Sequence, residues 1–174
     1  MTRELSEQEI VRRESLTKLR QLGVNPYPAE MFNVNSTSKQ IKENYKDGDE
    51  MEVVLAGRLM SRRIMGKASF AELQDSDGKI QIYVNRDEVC EGEDKKMYNT
   101  VFKKLLDIGD ILGIKGVVFI TKVGEISVKV KEITVLTKSF FDNQKLIIIN
   151  RTTDKIKETI EELTEKKIQD IKII

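Results

Sequence analysis

The chain has 174 residues, 39% hydrophobic and 34% charged, which is enough apolar material for one ordinary domain plus appendages and too much for a disordered chain. It contains no His, no Trp and one Cys, at position 90, so a Cys/His zinc site, a disulfide framework and a His-based triad are all excluded within one chain. The net charge is +1, no apolar run approaches the length of a membrane span, and the opening MTRELSEQE has no signal-peptide apolar region; the expectation is a soluble, cytoplasmic protein with no membrane partner.

Ser6 and Glu9 have the spacing of a capping box and open a helix to about Leu22. Gly23 supplies its stop, and Pro26 and Pro28 prevent resumption. Ile10, Leu16, Leu19 and Leu22 give it a partial apolar stripe. A shorter helix follows Ser36-Thr37-Ser38, runs through Ile41 to Tyr45 and ends near Gly48, making residues 1–50 a helical arm.

From Met51 the hydrophobic period changes to two. Residues 52–64 read as a long strand interrupted by Gly57, where a bulge is expected. Residues 69–74 and 79–85 are two more strands around the turn Asp75-Ser76-Asp77-Gly78. Residues 93–108 form an amphipathic helix with Met97, Val101, Phe102 and Leu105 on one side. Residues 111–121 and 125–136 close the block, joined by Lys122-Val123-Gly124. A mainly β fold of five short antiparallel strands, with a helix between the third and fourth, is the arrangement of an OB-fold barrel, here residues 51–138.

Residues 139–174 depart from that pattern. Ile147, Ile148 and Ile149 form a short apolar run, and Thr153 or Asp154 caps a helical tail expected to continue to the terminus. Ile156, Ile160, Leu163 and Ile171 lie on one side of it, a face that either docks on the barrel or pairs with a second copy to make a homodimer.

Alternation decides which strand residues can meet a ligand. Ala71 and Leu73 take the core side, leaving Phe70, Glu72 and Gln74 outside; Ile80, Ile82 and Val84 face in, so Gln81 and Tyr83 face out. In the last strand Glu125, Ser127, Lys129 and Lys131 face out. The first strand puts Arg58, Met60 and Arg62 on one face if alternation survives Gly57, so one outer face gathers Phe70, Gln81, Tyr83 and Arg62. Arg58, Arg62, Arg63 and Lys67 fall within ten residues that hold no acid, a local footprint for a polyanion. An exposed ring can stack an unpaired base, an amide can read a base edge, and Arg can bind phosphate. The competing reading is that the N-terminal helix or residues 26–35 simply cap Phe70.

No catalytic constellation emerges. Cys90 sits among Asp87, Glu88, Glu91 and Glu93, neighbours that raise a thiol pKa rather than activate it. Asp75 and Asp77 are explained by turn chemistry, Asp107 and Asp110 by a helix exit, and no phosphate loop or metal-ligand cluster is present.

The run from Ala56 to Phe70, containing RRIMGKASF, closely resembles the first two barrel strands of class II lysyl-tRNA synthetases. Matches follow in order at LQDSDGKIQIYVNRD (73–87), GDILGIKG (109–116), TKVGEISV (121–128) and VLTKS (135–139), and RRESLTKLRQLGVNPYP (12–28) resembles the leading helix. The resemblance implies an anticodon-binding domain for the U-rich anticodon loop of lysine tRNA. It implies that Phe70 stacks on the central base, Gln81 reads that base, Arg62 contacts the same region and Glu125 reads a neighbour. Arg58, Arg63, Lys67 and Tyr83 are expected as supporting contacts. The family continues after this point into a catalytic domain that binds ATP, magnesium and lysine; residues 139–174 carry none of its motifs, so the chain alone is expected neither to aminoacylate nor to hold a cofactor. Activity would then require a catalytic domain in trans. The alternative function is an interaction protein that self-associates or docks a partner through the C-terminal helix.

Overall fold

Alternating apolar residues from position 52 onward build five strands that close on themselves in the computed structural model, which describes residues 6–139 and the backbone at 145–147 and 171–173. β1 (Glu52–Met65), β2 (Ala68–Gln74), β3 (Lys79–Asn85), β4 (Ile111–Ile120) and β5 (Ile126–Thr137) form a closed barrel in the order β1-β2-β3-β5-β4. Four of the five ladders are antiparallel as expected; β3 and β5 pair in parallel, with Gln81 opposite Ser127 and Tyr83 opposite Lys129. Parallel partners need a long crossover, which the helices after β3 and the whole of β4 provide. Leu59, Leu73, Ile82, Leu112 and Val128 fill the interior with no exposed surface.

Three bulges interrupt the barrel ladders, at Met60, Lys131 and Leu136, and the first two bear on which residues face inward near the site. The bulge in β1 falls at Met60 and not at Gly57: Leu59 pairs with Leu73, and the next pair is Ser61 with Glu72. Gly57 keeps regular register and is small for another reason, since a Cβ there would lie 2.9 Å from the Gln74 carbonyl oxygen. In β5 the extra residue is Lys131, between the Gly116–Val130 and Lys115–Glu132 pairs. Inward residues change accordingly from Val128 and Val130 to Ile133 and Val135. Such bulges bend and twist a strand locally, which a closed sheet requires.

The helix between β3 and β4 is shorter and wider than expected. It is a π-helix, Met97–Leu105, preceded by a four-residue helix, Arg86–Val89, that the pattern did not announce. The wide turn carries Tyr98, Val101, Phe102 and Leu105 into the core together, with Tyr98 and Phe102 rings stacked 5.8 Å apart.

In the arm, α1 (Glu7–Gln21) opens with the expected reciprocal cap: the Ser6 N–H donates to Glu9 Oε2 at 2.7 Å and the Glu9 N–H to Ser6 Oγ at 3.3 Å. α2 (Ser38–Asn44) is capped in the same way by Thr37 and Gln40. Leu19 and Ile41 are fully buried and belong to the barrel's own core, so the arm and barrel share one hydrophobic cluster. Phe32 packs flat on β4 at Gly113, where a Cβ would collide with its ring.

A second compact unit begins at Phe140. In it β6 (Lys145–Ile147) and β7 (Ile171–Ile173) pair in parallel. The helix expected from residue 153 lies outside the described residues, but its expected last turn does not form: Ile171 is in an extended strand, as β-branched residues favour.

Candidate nucleic-acid interface

Paired residues share a face, so the barrel registers assemble two rows across the outside of β1, β2, β3 and β5. One runs Arg63, Phe70, Tyr83, Lys129; the other runs Ser61, Glu72, Gln81, Ser127 and on to Phe119 of β4. Phe70 lies against Tyr83 with ring centroids 5.2 Å apart and planes tilted by 53°, and Tyr83 meets Phe119 edge-on at 6.1 Å. These three rings floor an open cleft of about 720 Å³, also lined by Arg63, Gln81 and Glu125 and by Lys42, Lys79 and Lys122. Neither α1 nor residues 26–35 line it. The expectation that Phe70 and Gln81 share an open outward face therefore holds, and the capping reading of Phe70 does not.

Arg62 is placed differently from the expectation. The Met60 bulge puts it opposite Ala71, in the inward phase, while Arg63 stands opposite Phe70. The Arg62 guanidinium donates to the Phe102 carbonyl and lies over the Phe102 ring, 5.7 Å from its centroid. Burial draws its pKa down from the ordinary guanidinium value, against the opposing pull of Asp107 and Asp110. Arg62 thus lines the cleft but turns its charged group to the π-helix, and Arg63, exposed, takes the position beside the stacking ring. The four-cation cluster is divided likewise: Arg58 donates to the Gly109 carbonyl at 2.8 Å, and Lys67 stays exposed at the turn between β1 and β2.

Gln81 is held by one end. Ser127 Oγ donates to Gln81 Oε1 at 3.0 Å, and the two amide N–H donors have no partner among the described residues. Glu72, its cross-strand neighbour, is paired with Lys79 at 3.0 Å and so brings no net negative charge to the cleft. At the far wall, the β4–β5 turn is pinned by two bonds between Thr121 and Glu125: the Thr121 N–H donates to the Glu125 carbonyl at 2.9 Å, and the Glu125 N–H donates to Thr121 Oγ1 at 3.0 Å. Gly124 supplies the left-handed residue this turn needs, with φ of 87°. The Glu125 carboxylate is exposed and has no partner among the described residues. Tyr83 Oη accepts from Asn85 Nδ2 at 3.4 Å.

Phe119, Lys42 and Lys122 are the residues that inspection of the sequence did not single out, while strand alternation places Ser127 outward without a role. Phe119 was accessible to the same alternation argument, since its neighbour Val118 is a core residue. Lys42 was not, because only the tertiary fold carries α2 to the cleft. Its placement depends on Asp75, whose carboxylate accepts from the Ser38 N–H at 2.6 Å and the Ser38 hydroxyl at 2.7 Å, and also from the Asp77 and Gly78 N–H groups. Burial works to raise the Asp75 pKa, but these donors outweigh it and hold the carboxyl below its ordinary value.

Where β5 leaves the barrel the polar groups are closed off. Lys138 and Asp110 are wholly buried; Lys138 Nζ donates to Asp110 Oδ2 at 2.8 Å, to Asp107 Oδ2 at 2.6 Å and to the Leu105 carbonyl, which uses all three of its protons. Asp110 also accepts from the Ser139 and Asp107 N–H groups. Tyr27 Oη donates to the Lys138 carbonyl, its pKa pushed up to about 12 by burial and by the charge of Asp110.

Residues 53–136 match the family of OB-fold nucleic acid binding domains. The chain is 60% identical over 136 residues to the lysine–tRNA ligase of Christiangramia forsetii and 60% identical over 140 residues to that of Porphyromonas gingivalis, matches that cover 78% of this chain and 24% of each relative. A lysine–tRNA ligase of Thermoanaerobacter sp. is 48% identical over 138 residues, 79% of this chain and 26% of the relative. The chain therefore spans about a quarter of the length of the curated relatives it matches. Among the described residues no helix is long and apolar enough to cross a membrane.

Proposed function

We propose that this chain, whose residues 53–136 are the OB-fold anticodon-binding domain of the lysine–tRNA ligase family, captures the U-rich anticodon loop of lysine tRNA in the cleft over β2 and β3. One observation carries the reading: a half-exposed ring, Phe70, and a side-chain amide, Gln81, stand one pair apart on the same two strands, in an open cleft. An unpaired base stacked on Phe70 gains ~1–3 kcal/mol. The Gln81 N–H donors then meet the base edge, where uracil offers carbonyl acceptors and cytosine offers an amino group. Glu125 accepts from the N–H of a neighbouring base, and Tyr83 supports the Phe70 ring. Arg63, with Lys67, Lys42 and Lys122, neutralises the loop phosphates, while Arg58 and Arg62 act from behind by holding the barrel walls. The ligation step, with its ATP, magnesium and lysine, belongs on this reading to the part of the relatives that this chain does not span.

The test is titration of the purified chain into a labelled lysine anticodon stem-loop at low salt, beside a loop with the central uridine changed to cytidine. The native loop is expected to bind more tightly. Phe70→Ala should weaken it by roughly one to two orders of magnitude, equivalent to ~1–3 kcal/mol, without lowering the melting temperature. Equal affinity of the wild-type chain for both loops overturns the reading.

A further inference from the structure

Among the described residues, Ser127 is the fully buried hydroxyl bonded directly to a base-reading group of the proposed interface. Its Oγ has a single proton and two acceptors within reach, Gln81 Oε1 at 3.0 Å and the Glu125 carbonyl at 3.3 Å. The Glu125 carbonyl already accepts from the Thr121 N–H at 2.9 Å, and Gln81 Oε1 is the nearer of the two acceptors, so the hydroxyl proton goes to Gln81. The parallel register of β3 and β5 puts the two residues directly opposite one another, and Phe119 lies opposite Ser127 on its other side.

A glutamine amide presents an acceptor or donors according to which way it is turned, and without a neighbour to decide it does both. With its oxygen held by Ser127, Gln81 can offer the cleft only donors. We infer that Ser127 is a specificity-positioning residue: by holding Gln81 Oε1 it makes the cleft demand a base that presents an acceptor, uracil, and reject one that presents an amino group, cytosine. The inference rests on the proposed reading of Gln81 as the group that meets the stacked base. Ser127 touches no base itself and acts through the amide.

The measurement is the ratio of affinities for stem-loops that carry U or C at the central position, for the full chain and its variants at one fixed low salt concentration. Ser127→Ala releases the amide to turn and accept from cytosine, and is expected to reduce the U-over-C ratio about tenfold, chiefly by improving binding of the C loop. Ser127→Thr, which keeps the hydroxyl, restores the ratio. In a Gln81→Ala background, Ser127→Ala should change the ratio no further, because the group it orients is gone. An unchanged ratio in Ser127→Ala, a uniform loss of both affinities with a lowered melting temperature, or a further loss in the Gln81→Ala background overturns the inference. Absence of any U-over-C preference in the wild-type chain is a different result: it overturns the anticodon reading, and this inference with it.

Discussion

Arg62 and Arg63 are adjacent in sequence and identical in chemistry, yet they serve opposite sides of the same sheet. Arg63 stands exposed beside Phe70, while Arg62 turns inward to the Phe102 carbonyl and the field of Asp107 and Asp110. The two regions they join differ in one respect above all. Where β5 leaves the barrel, Lys138, Asp110 and Asp107 satisfy one another, Arg62 is satisfied by the Phe102 carbonyl, and no buried side-chain nitrogen or oxygen lacks a hydrogen bond among the described residues. In the cleft, the Gln81 N–H donors and the Glu125 carboxylate have no partner among the described residues, and three rings are only partly covered. Leaving polar groups unpaired is costly in a dry interior and nearly free where water supplies the partner. The distribution of unpaired groups thus separates surface built for stability from surface left available to a ligand.

The most severe way to break this comparison is to open the closed side. Lys138→Ala removes the one cation in direct contact with Asp110 among the described residues, leaving a buried carboxylate with two backbone donors and only the more distant charge of Arg62. The expected loss is about 3–5 kcal/mol, read as a lower urea midpoint. In the fraction that remains folded, the U-over-C affinity ratio should be unchanged. A shift in that ratio would mean the two regions are coupled rather than separate.

A finer cut exchanges the two arginines. Arg62→Ala deletes a charge-assisted hydrogen bond and a cation–π contact, and should cost about 1.5–3 kcal/mol of stability with little change in RNA affinity. Arg63→Ala should leave the melting temperature in place and weaken RNA binding in a salt-dependent way. For one lost phosphate contact, the slope of log affinity against log salt flattens by about 0.7. If the losses appear the other way round, Arg62 reaches the RNA and the inward placement of its guanidinium does not survive binding.

That exchange also shows what could be read from the chain and what could not. The order of strands, the capping box at Ser6 and Glu9, and the outward Phe70 and Gln81 follow from local rules, because period and capping involve only near neighbours. The fate of Arg62 does not. It depends on a bulge at Met60, and nothing local marks Met60; Gly57 attracts the assignment because glycine suits bulges, yet Gly57 is small to admit the Gln74 carbonyl. The bulge at Lys131 and the π-helix at Met97–Leu105 are similarly set by barrel closure and by the core they must fill. The resemblance to lysyl-tRNA synthetases points to Arg62, whereas the register leaves Arg63 exposed opposite Phe70 and turns Arg62 to the inward phase. Ser127 was legible as an outward residue, but its bond to Gln81 needed the parallel pairing of β3 with β5, a contact across 46 positions.

The gentlest probe concerns how α2, and with it Lys42, is held at the cleft. Asp75 accepts four hydrogen bonds, two of them from Ser38 at the start of α2. Its carboxyl is held below the ordinary value although burial opposes this, so the folded state binds the proton less readily than the unfolded chain. The contribution is therefore complete above the unfolded pKa of about 3.9 and is lost as pH falls through the lower folded value. Asp75→Asn puts an amide where one oxygen accepts, and should cost about 1 kcal/mol at neutral pH, near the lower end for a charge-assisted bond because the site is partly exposed. Below about pH 4 the gap in melting temperature between wild type and variant should narrow, as protonation removes from the wild type what the substitution has already removed. Lys42 need not be altered for RNA binding to respond: if α2 loosens, the variant should lose part of the Lys42 phosphate contact and none of the U-over-C preference. A gap that stays constant through pH 3 would show that Asp75 acts by shape alone, as one turn residue among others, and that its charge does not hold the helix to the cleft.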